Sequence, residues 1–216
     1  MGLTGLPSLD ALIEPLAKSW IVEFYGYESG VRLVYHHVVA EAARHGRVAV
    51  VHIQEFGGLN PYLITRLAKV RRSDPGNILV ARGFRLRDVP RLIDEAVETG
   101  AETIVVVDPY LYAPRSWRLY DLLSNITGAL RRASEKARVV VANRATKYNS
   151  GFLPEGGNYH HHSVHVIVRL DPSRRGMIAS LIKHPGKSAP RRSLVHMAEL
   201  VVAGKWVGQR PLLEYL

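Results

Sequence analysis

The sequence predicts an α/β protein: a mostly parallel sheet flanked by helices, with an antiparallel extension at its C-terminal end. Three observations carry this. Short runs rich in Val and Ile alternate with amphipathic stretches of ten or more residues up to Asn143. Such alternation is the pattern of strands joined by crossover helices. Beyond Asn143 the pattern changes to two apolar runs joined by Asp171-Pro172-Ser173-Arg174-Arg175-Gly176, a connection that suits an antiparallel hairpin. Finally, the first strand runs straight into a glycine-bearing segment, Phe24 to Leu33, ahead of a helix.

In chain order, Trp20–Tyr25 reads as a strand, Leu33–Arg44 as a helix and Arg47–Gln54 as a second strand. Pro61–Arg71 is helical, with Pro at its start, and Asn77–Ala81 is extended. Asp88–Glu98 is a helix closed by Gly100 at a C-cap position. Glu102–Asp108 is a strand, Trp117–Lys136 a long helix and Arg138–Asn143 a further strand. Ala145–Tyr159 reads as a loop of about 15 residues, longer than compact domains usually hold without a function. Ser163–Leu170 and Met177–His184 form the hairpin, and Pro185–Arg192 is a basic loop before a last strand at Leu194–Val202. No repeat or composition break divides the chain, so residues 1–216 are expected to form one domain.

Composition narrows the partners. The formal charge of +10 favours an anionic one, and nucleic acid ranks ahead of a membrane surface. The charge is also concentrated. Nine Lys and Arg face two acids between Arg144 and Arg192, so that segment supplies +7. No apolar run approaches the roughly 20 residues of a membrane span, and residues 1–10 lack the basic head of a signal peptide; a cytoplasmic, nucleoid-associated protein is expected. The absence of cysteine excludes disulfides and thiol chemistry, and fits a reducing or hot environment. His160-His161-His162, with His165, reads as part of a strand whose side chains alternate between faces, so no metal site is expected there.

Gly26-Tyr27-Glu28-Ser29-Gly30-Val31-Arg32-Leu33 occupies the place of a phosphate-binding loop of the form G-x-x-x-x-G-K-[ST]. The second glycine, lysine and hydroxyl slots hold Val31, Arg32 and Leu33. A β-branched side chain then sits where amides must close on phosphate, and the magnesium-ligating hydroxyl is gone. Arg32 brings a planar fork in place of a point charge.

The chain as a whole resembles the archaeal RadA branch of the RecA-type recombinases, especially short paralogues that consist of the P-loop NTPase core alone. The residues that carry this are Thr4-Gly5 with Ser8-Leu9-Asp10, Glu23-Phe24-Tyr25-Gly26, and His37 with Ala40. Further on they are Ala49 to Glu55, Leu79-Val80-Ala81-Arg82, Asp108 and Val141-Ala142-Asn143. Gly156-Gly157, His162-Ser163 and Ala179 to Pro185 complete the set.

The resemblance implies vestigial catalytic roles for Glu55, as water-activating glutamate, and for Asp108 at the magnesium. It places Arg144 where a glutamine senses the γ phosphate. If each lost charge-assisted contact is worth about 1.5 to 3 kcal/mol, losing two weakens ATP by roughly 10² to 10⁴-fold. Neither ATP nor magnesium is therefore expected as a firm cofactor, and weak binding of either is the alternative.

The resemblance also implies two loops that touch single-stranded DNA: one after Asp108 with Arg115, Trp117 and Arg118, the other from Arg144 to Asn158 with Lys147, Tyr148 and Phe152. Cations for phosphates and aromatic faces for bases are what single-strand binding needs. Arg174, Arg175, Lys187, Arg191 and Arg192 extend the basic track if they share that face. The expected function is regulation of homologous recombination and repair by binding single-stranded DNA, the RadA recombinase or another paralogue, with a homo-oligomer as a further partner state. The rivals are a DNA-stimulated ATPase with an unusual P-loop and a module that docks on RadA.

Overall fold

The computed structural model describes residues 2–53, 58–113, 120–145, 153–202 and 205–206. An eight-stranded sheet runs through the molecule in the order β3-β2-β4-β5-β1-β6-β7-β8. Its strands are β1 (Ile21–Gly26), β2 (Val48–Ile53), β3 (Ile78–Gly83), β4 (Thr103–Val107), β5 (Arg138–Arg144), β6 (Val166–Ser173), β7 (Gly176–Lys183) and β8 (Arg191–His196). Strands β1 to β6 are mutually parallel, β7 runs antiparallel to β6, and β8 antiparallel to β7. The predicted fold class is the one observed.

The helices are α1 (Pro7–Ile13), α2 (Glu28–Ala42), α3 (Pro61–Arg71), α4 (Val89–Glu98), α5 (Tyr120–Ser134), α6 (Gly157–Ser163) and α7 (Met197–Leu200). They cover both faces. Val22, Phe24, Val50, Val105 and Val140 point to a core shared with α1, α2 and α3. Their neighbours Ile21, Tyr25, Val51, Val106 and Val141 point to a second core under α4 and α5. Alternation of this kind along strands buried on both sides explains why the runs are apolar throughout. Among the described residues no helix is long and apolar enough to cross a membrane.

Local chemistry sets the ends. Asn60 caps α3 by accepting from the Leu63 N–H at 3.2 Å, and Arg72 closes it in the left-handed region at φ 54°. A short pair, β9 (Val201–Val202) and β10 (Lys205–Trp206), follows α7.

Four expectations change. The helix after β1 starts at Glu28, not Leu33, so the segment expected as a loop is almost wholly helical. The histidine triplet lies on α6, a helix, not on a strand. The same helix shortens the loop expected over 145–159, whose base is closed by a bridge between Ala145 and Pro154. The last strand is interrupted by α7, because Glu199 Oε1 accepts from the His196 N–H at 3.2 Å and turns the chain.

Candidate functional site

The carboxyl ends of β1, β2, β4 and β5 meet at one edge of the sheet, where open α/β folds bind ligands. The edge brings together Gly26, Glu28, Val31, Arg32, Tyr35, His52, Val107, Asp108, Asn143 and Arg144. The cavity they enclose is about 30 Å³. That holds about two waters, against the roughly 300 to 1,000 Å³ of a small-molecule site.

Gly26 is required here. It has φ +120°, and a Cβ would lie 2.5 Å from the Leu170 carbonyl oxygen. The Tyr27 N–H donates to that same oxygen at 2.9 Å, which ties the end of β1 to β6. From Glu28 onward the chain is helix, and the Val31 N–H donates to the Tyr27 carbonyl at 2.9 Å. In the register of a phosphate loop this is the amide that would face phosphate. Gly30 has a packing reason instead: a Cβ would lie 2.8 Å from the Met177 sulfur. Arg32 pairs with Glu28 one turn back at 3.1 Å, both side chains half exposed. An exposed i,i+4 pair of this kind is worth only about 0.3 to 0.5 kcal/mol.

Asp108 follows β4 with φ 53°, a conformation Asp tolerates better than most residues. Its N–H donates to the Ala142 carbonyl at 2.8 Å. Its two carboxylate oxygens accept from Arg144 Nε at 3.2 Å and Nη2 at 3.1 Å. This is a bidentate fork, the strongest geometry an ion pair offers. Burial raises the Asp108 pKa, and the Arg144 guanidinium opposes that rise. His52, at the end of β2, is buried, and its pKa falls to about 4 through desolvation, with Arg82, Arg32 and Arg144 adding to the fall.

Neither a family model nor a curated protein matches the chain. Among solved structures, the RadB recombinase superposes with a TM-score of 0.75 over 93% of this chain and 97% of that one, at 19% identity. The two chains share one fold.

Within this fold the residues expected at the site are distributed as follows. Of Gly26 to Leu33, the residues Gly26, Glu28, Val31 and Arg32 stand together with Asp108 and Arg144 at the carboxyl edge, while Leu33 is buried in the first core. Arg174 and Arg175 form the tip between β6 and β7 at that same edge, both exposed. Glu55, Arg115, Trp117, Arg118, Lys147, Tyr148 and Phe152 lie outside the described residues.

Lys187, Arg191 and Arg192 sit toward the other end of the hairpin. Arg191 is opposite Leu181 on β7, six residues from Arg175, or about 20 Å along the strand. Lys187 is further occupied: its ammonium donates to the Ala11 and Leu12 carbonyls at 3.1 and 2.8 Å, at the end of α1. Lys183 does the same for the His161 and His162 carbonyls of α6. Both cations complement the negative end of a helix.

Reading the sequence alone left one group of residues without a role. Glu23, in the middle of β1, is completely buried. Its Oε1 accepts from Asn143 Nδ2 at 2.7 Å and contacts His160 Nε2 at 2.9 Å. The signal was present as a lone carboxylate inside an otherwise apolar strand, which demands a buried partner. Among the described residues no cluster of three or more His, Asp or Glu could hold a metal, and His160 faces Glu23 while His162 is exposed.

Proposed function

We propose that this protein binds single-stranded DNA, or the recombinase that coats it, and regulates homologous recombination and repair in the cytoplasm without turning over ATP efficiently. The observation that carries the reading is the Asp108–Arg144 fork beside a 30 Å³ cavity. Phosphoryl transfer needs magnesium bridging the β and γ oxygens and amides free to cradle them. Here the acid is paired with an internal cation, and the Val31 amide is paired within the helix. Weak ATP or magnesium binding would require both to be released. Arg144 thus fills a charge role that magnesium has in a working site.

DNA contact is proposed at the carboxyl edge: Arg174 and Arg175 at the hairpin tip, with Arg115, Trp117, Arg118, Lys147 and Tyr148 in the segments beyond Ala113 and Ala145. Lys187, Arg191 and Arg192 form a second, separate group. The fold shared with the RadB recombinase supports a place in recombination, and the charge of +10 supports a polyanionic partner. Fluorescence anisotropy with labelled single strands tests this. Binding at low salt that weakens steeply toward 0.2 M, at about the slope of several phosphate contacts, is expected; no binding at low salt overturns it.

A second reading, docking on a recombinase or on another copy, is favoured by the edge strand β3. Val80 on it and Phe84 just after it are 50% and 62% exposed, beside a strand edge that no other strand pairs among the described residues. Light scattering of Val80→Lys against the parent, alone and mixed with a RecA-type recombinase, separates the two. A complex lost in the variant favours docking, and DNA affinity kept in the absence of any complex favours the first reading.

A further inference from the structure

A chain of buried hydrogen bonds crosses the second core from helix α5 to the end of β5. Thr127 Oγ1 donates to the Leu123 carbonyl at 3.1 Å and meets the Tyr110 hydroxyl at 2.9 Å. That hydroxyl meets His160 Nδ1 at 2.9 Å, and His160 Nε2 meets Glu23 Oε1 at 2.9 Å. Asn143 Nδ2 donates to Glu23 Oε1 at 2.7 Å and to the Glu155 carbonyl at 2.8 Å. All five side chains are at most 2% exposed.

Counting hydrogens fixes the direction of the chain. Thr127 spends its proton on Leu123, so Tyr110 must donate to Thr127. The Tyr110 oxygen then accepts from His160 Nδ1–H. The contact between Nε2 and Oε1 therefore holds one proton, and Glu23 with His160 is neutral as a pair whichever atom carries it. Glu23 Oε2 is buried with no partner among the described residues. A full charge there is tolerable only beside its countercharge.

The placement of the chain gives it a use. Tyr110 stands in the turn after β4, four residues before residues 114–119 begin. Asn143 and His160 stand on either side of 146–152, and the base of that segment is closed by the Glu155 N–H donating to the Arg144 carbonyl at 3.0 Å. The Arg144 N–H in turn donates to Asn143 Oδ1 at 2.8 Å, next to the fork on Asp108. Gly156 is held against this unit, since a Cβ there would lie 2.7 Å from the Tyr110 ring.

We infer that Glu23, through His160 and Asn143, is a positioning residue that sets the bases of both chain segments beyond Ala113 and Ala145 from one buried point. Its effect on nucleic-acid binding rests on the reading under Proposed function; its structural part does not. In Glu23→Gln the carbonyl must face Asn143, so His160 Nε2 has to bring a proton while Nδ1 already carries one. The imidazole is then a buried cation without a countercharge, or the chain reverses as far as Leu123.

Hydrogen exchange by mass spectrometry on the full chain tests the inference, with Tyr110→Phe as a milder second variant that removes one oxygen. Amides of 108–113 and of 153–160 are expected to exchange about threefold to tenfold faster together in both variants, the loss of one or two net hydrogen bonds, while β2 and β3 keep their rates. Imidazole nitrogen resonances of His160 should show Nδ1–H in the parent and, in Glu23→Gln, either both nitrogens protonated or the proton moved to Nε2. Single-strand affinity should fall by a similar factor with an unchanged salt slope, because no phosphate contact is removed. Faster exchange at one base alone, or uniformly over the chain, overturns the relay, as does unchanged affinity when both bases loosen. If the parent binds no single strand at all, the proposed function fails while exchange and the His160 resonances still decide the relay.

Discussion

Arg144 at the end of β5 holds both carboxylate oxygens of Asp108 at the end of β4, at 3.2 and 3.1 Å. The two strands are direct neighbours in the sheet, which brings the pair into register without a loop having to fold over. An acid that by resemblance stands at a magnesium site is thereby paired inside the protein.

Removing the arginine should be costly. Arg144→Ala leaves a mostly buried carboxylate alone, and since the guanidinium is itself 34% exposed the loss is expected at about 1 to 3 kcal/mol, below the figure for a fully buried pair. Urea denaturation of the parent, Arg144→Ala, Asp108→Asn and the double variant gives the coupling directly. Additive effects would contradict the pairing.

Gly26 and Gly100 offer a contrast in backbone demand. Gly100 has φ +72° with open space around its Cβ position, whereas a Cβ on Gly26 meets Leu170 oxygen at 2.5 Å. Gly100→Ala is expected to cost about 1 kcal/mol. Gly26→Ala should cost about 2 kcal/mol more, because strain and a backbone clash add. Equal midpoints for the two variants in thermal melts would count against this.

Buried histidines predict acid lability. Burial lowers His36 to about 4, with Arg32 Coulombically contributing, and His37 to about 3, with Arg71 beside it. His52 is lowered to about 4. These folded values lie below the unfolded value of about 6.5, so the unfolded chain binds more protons between them. Stability is thus fully present above about pH 6.5 and falls as pH drops toward 4, by up to about 1.4 kcal/mol per pH unit for each histidine. Denaturation at pH 7.5, 6 and 5 reads the slope. His37 is the clearest probe: its Nδ1 accepts from Arg71 Nη2 at 2.5 Å, and a His37→Gln chain should show a shallower slope.

The two groups of cations should behave differently. Lys187→Ala removes the cap on α1 and is expected to lower stability by about 0.5 to 1 kcal/mol. Arg174→Ala and Arg175→Ala touch exposed side chains, so they should leave stability nearly unchanged and reduce the salt slope of DNA binding by about 1 each. The reverse ranking would move the interface to the far end of the hairpin.

What the sequence made legible follows from period and composition. Valine-rich runs such as Ile104 to Val107 belong to strands buried on both faces, and they identify the parallel sheet without ambiguity. Helix α3 matches the expected Pro61–Arg71 residue for residue, and the structure shows why it ends there: Asn60 caps its start and Arg72 turns the chain into the left-handed region. Asp108 and Arg144 were each visible, but not their contact, since nothing local says that residues 36 apart occupy adjacent strand ends. The helical start at Glu28 was missed for a different reason. A motif of glycines reads as a loop, whereas Gly30 serves Met177 packing and the amide of Val31 has a helical partner. The relay through Glu23 depends on a histidine 137 residues away, and an apolar context flags only that a partner must exist.

Calorimetric titration of the protein with magnesium-ATP tests the central claim of a closed nucleotide site. The Asp108–Arg144 fork and the paired Val31 amide predict no saturable heat at micromolar ligand, and binding no tighter than about millimolar. Micromolar binding that requires magnesium and disappears in Asp108→Ala would contradict it.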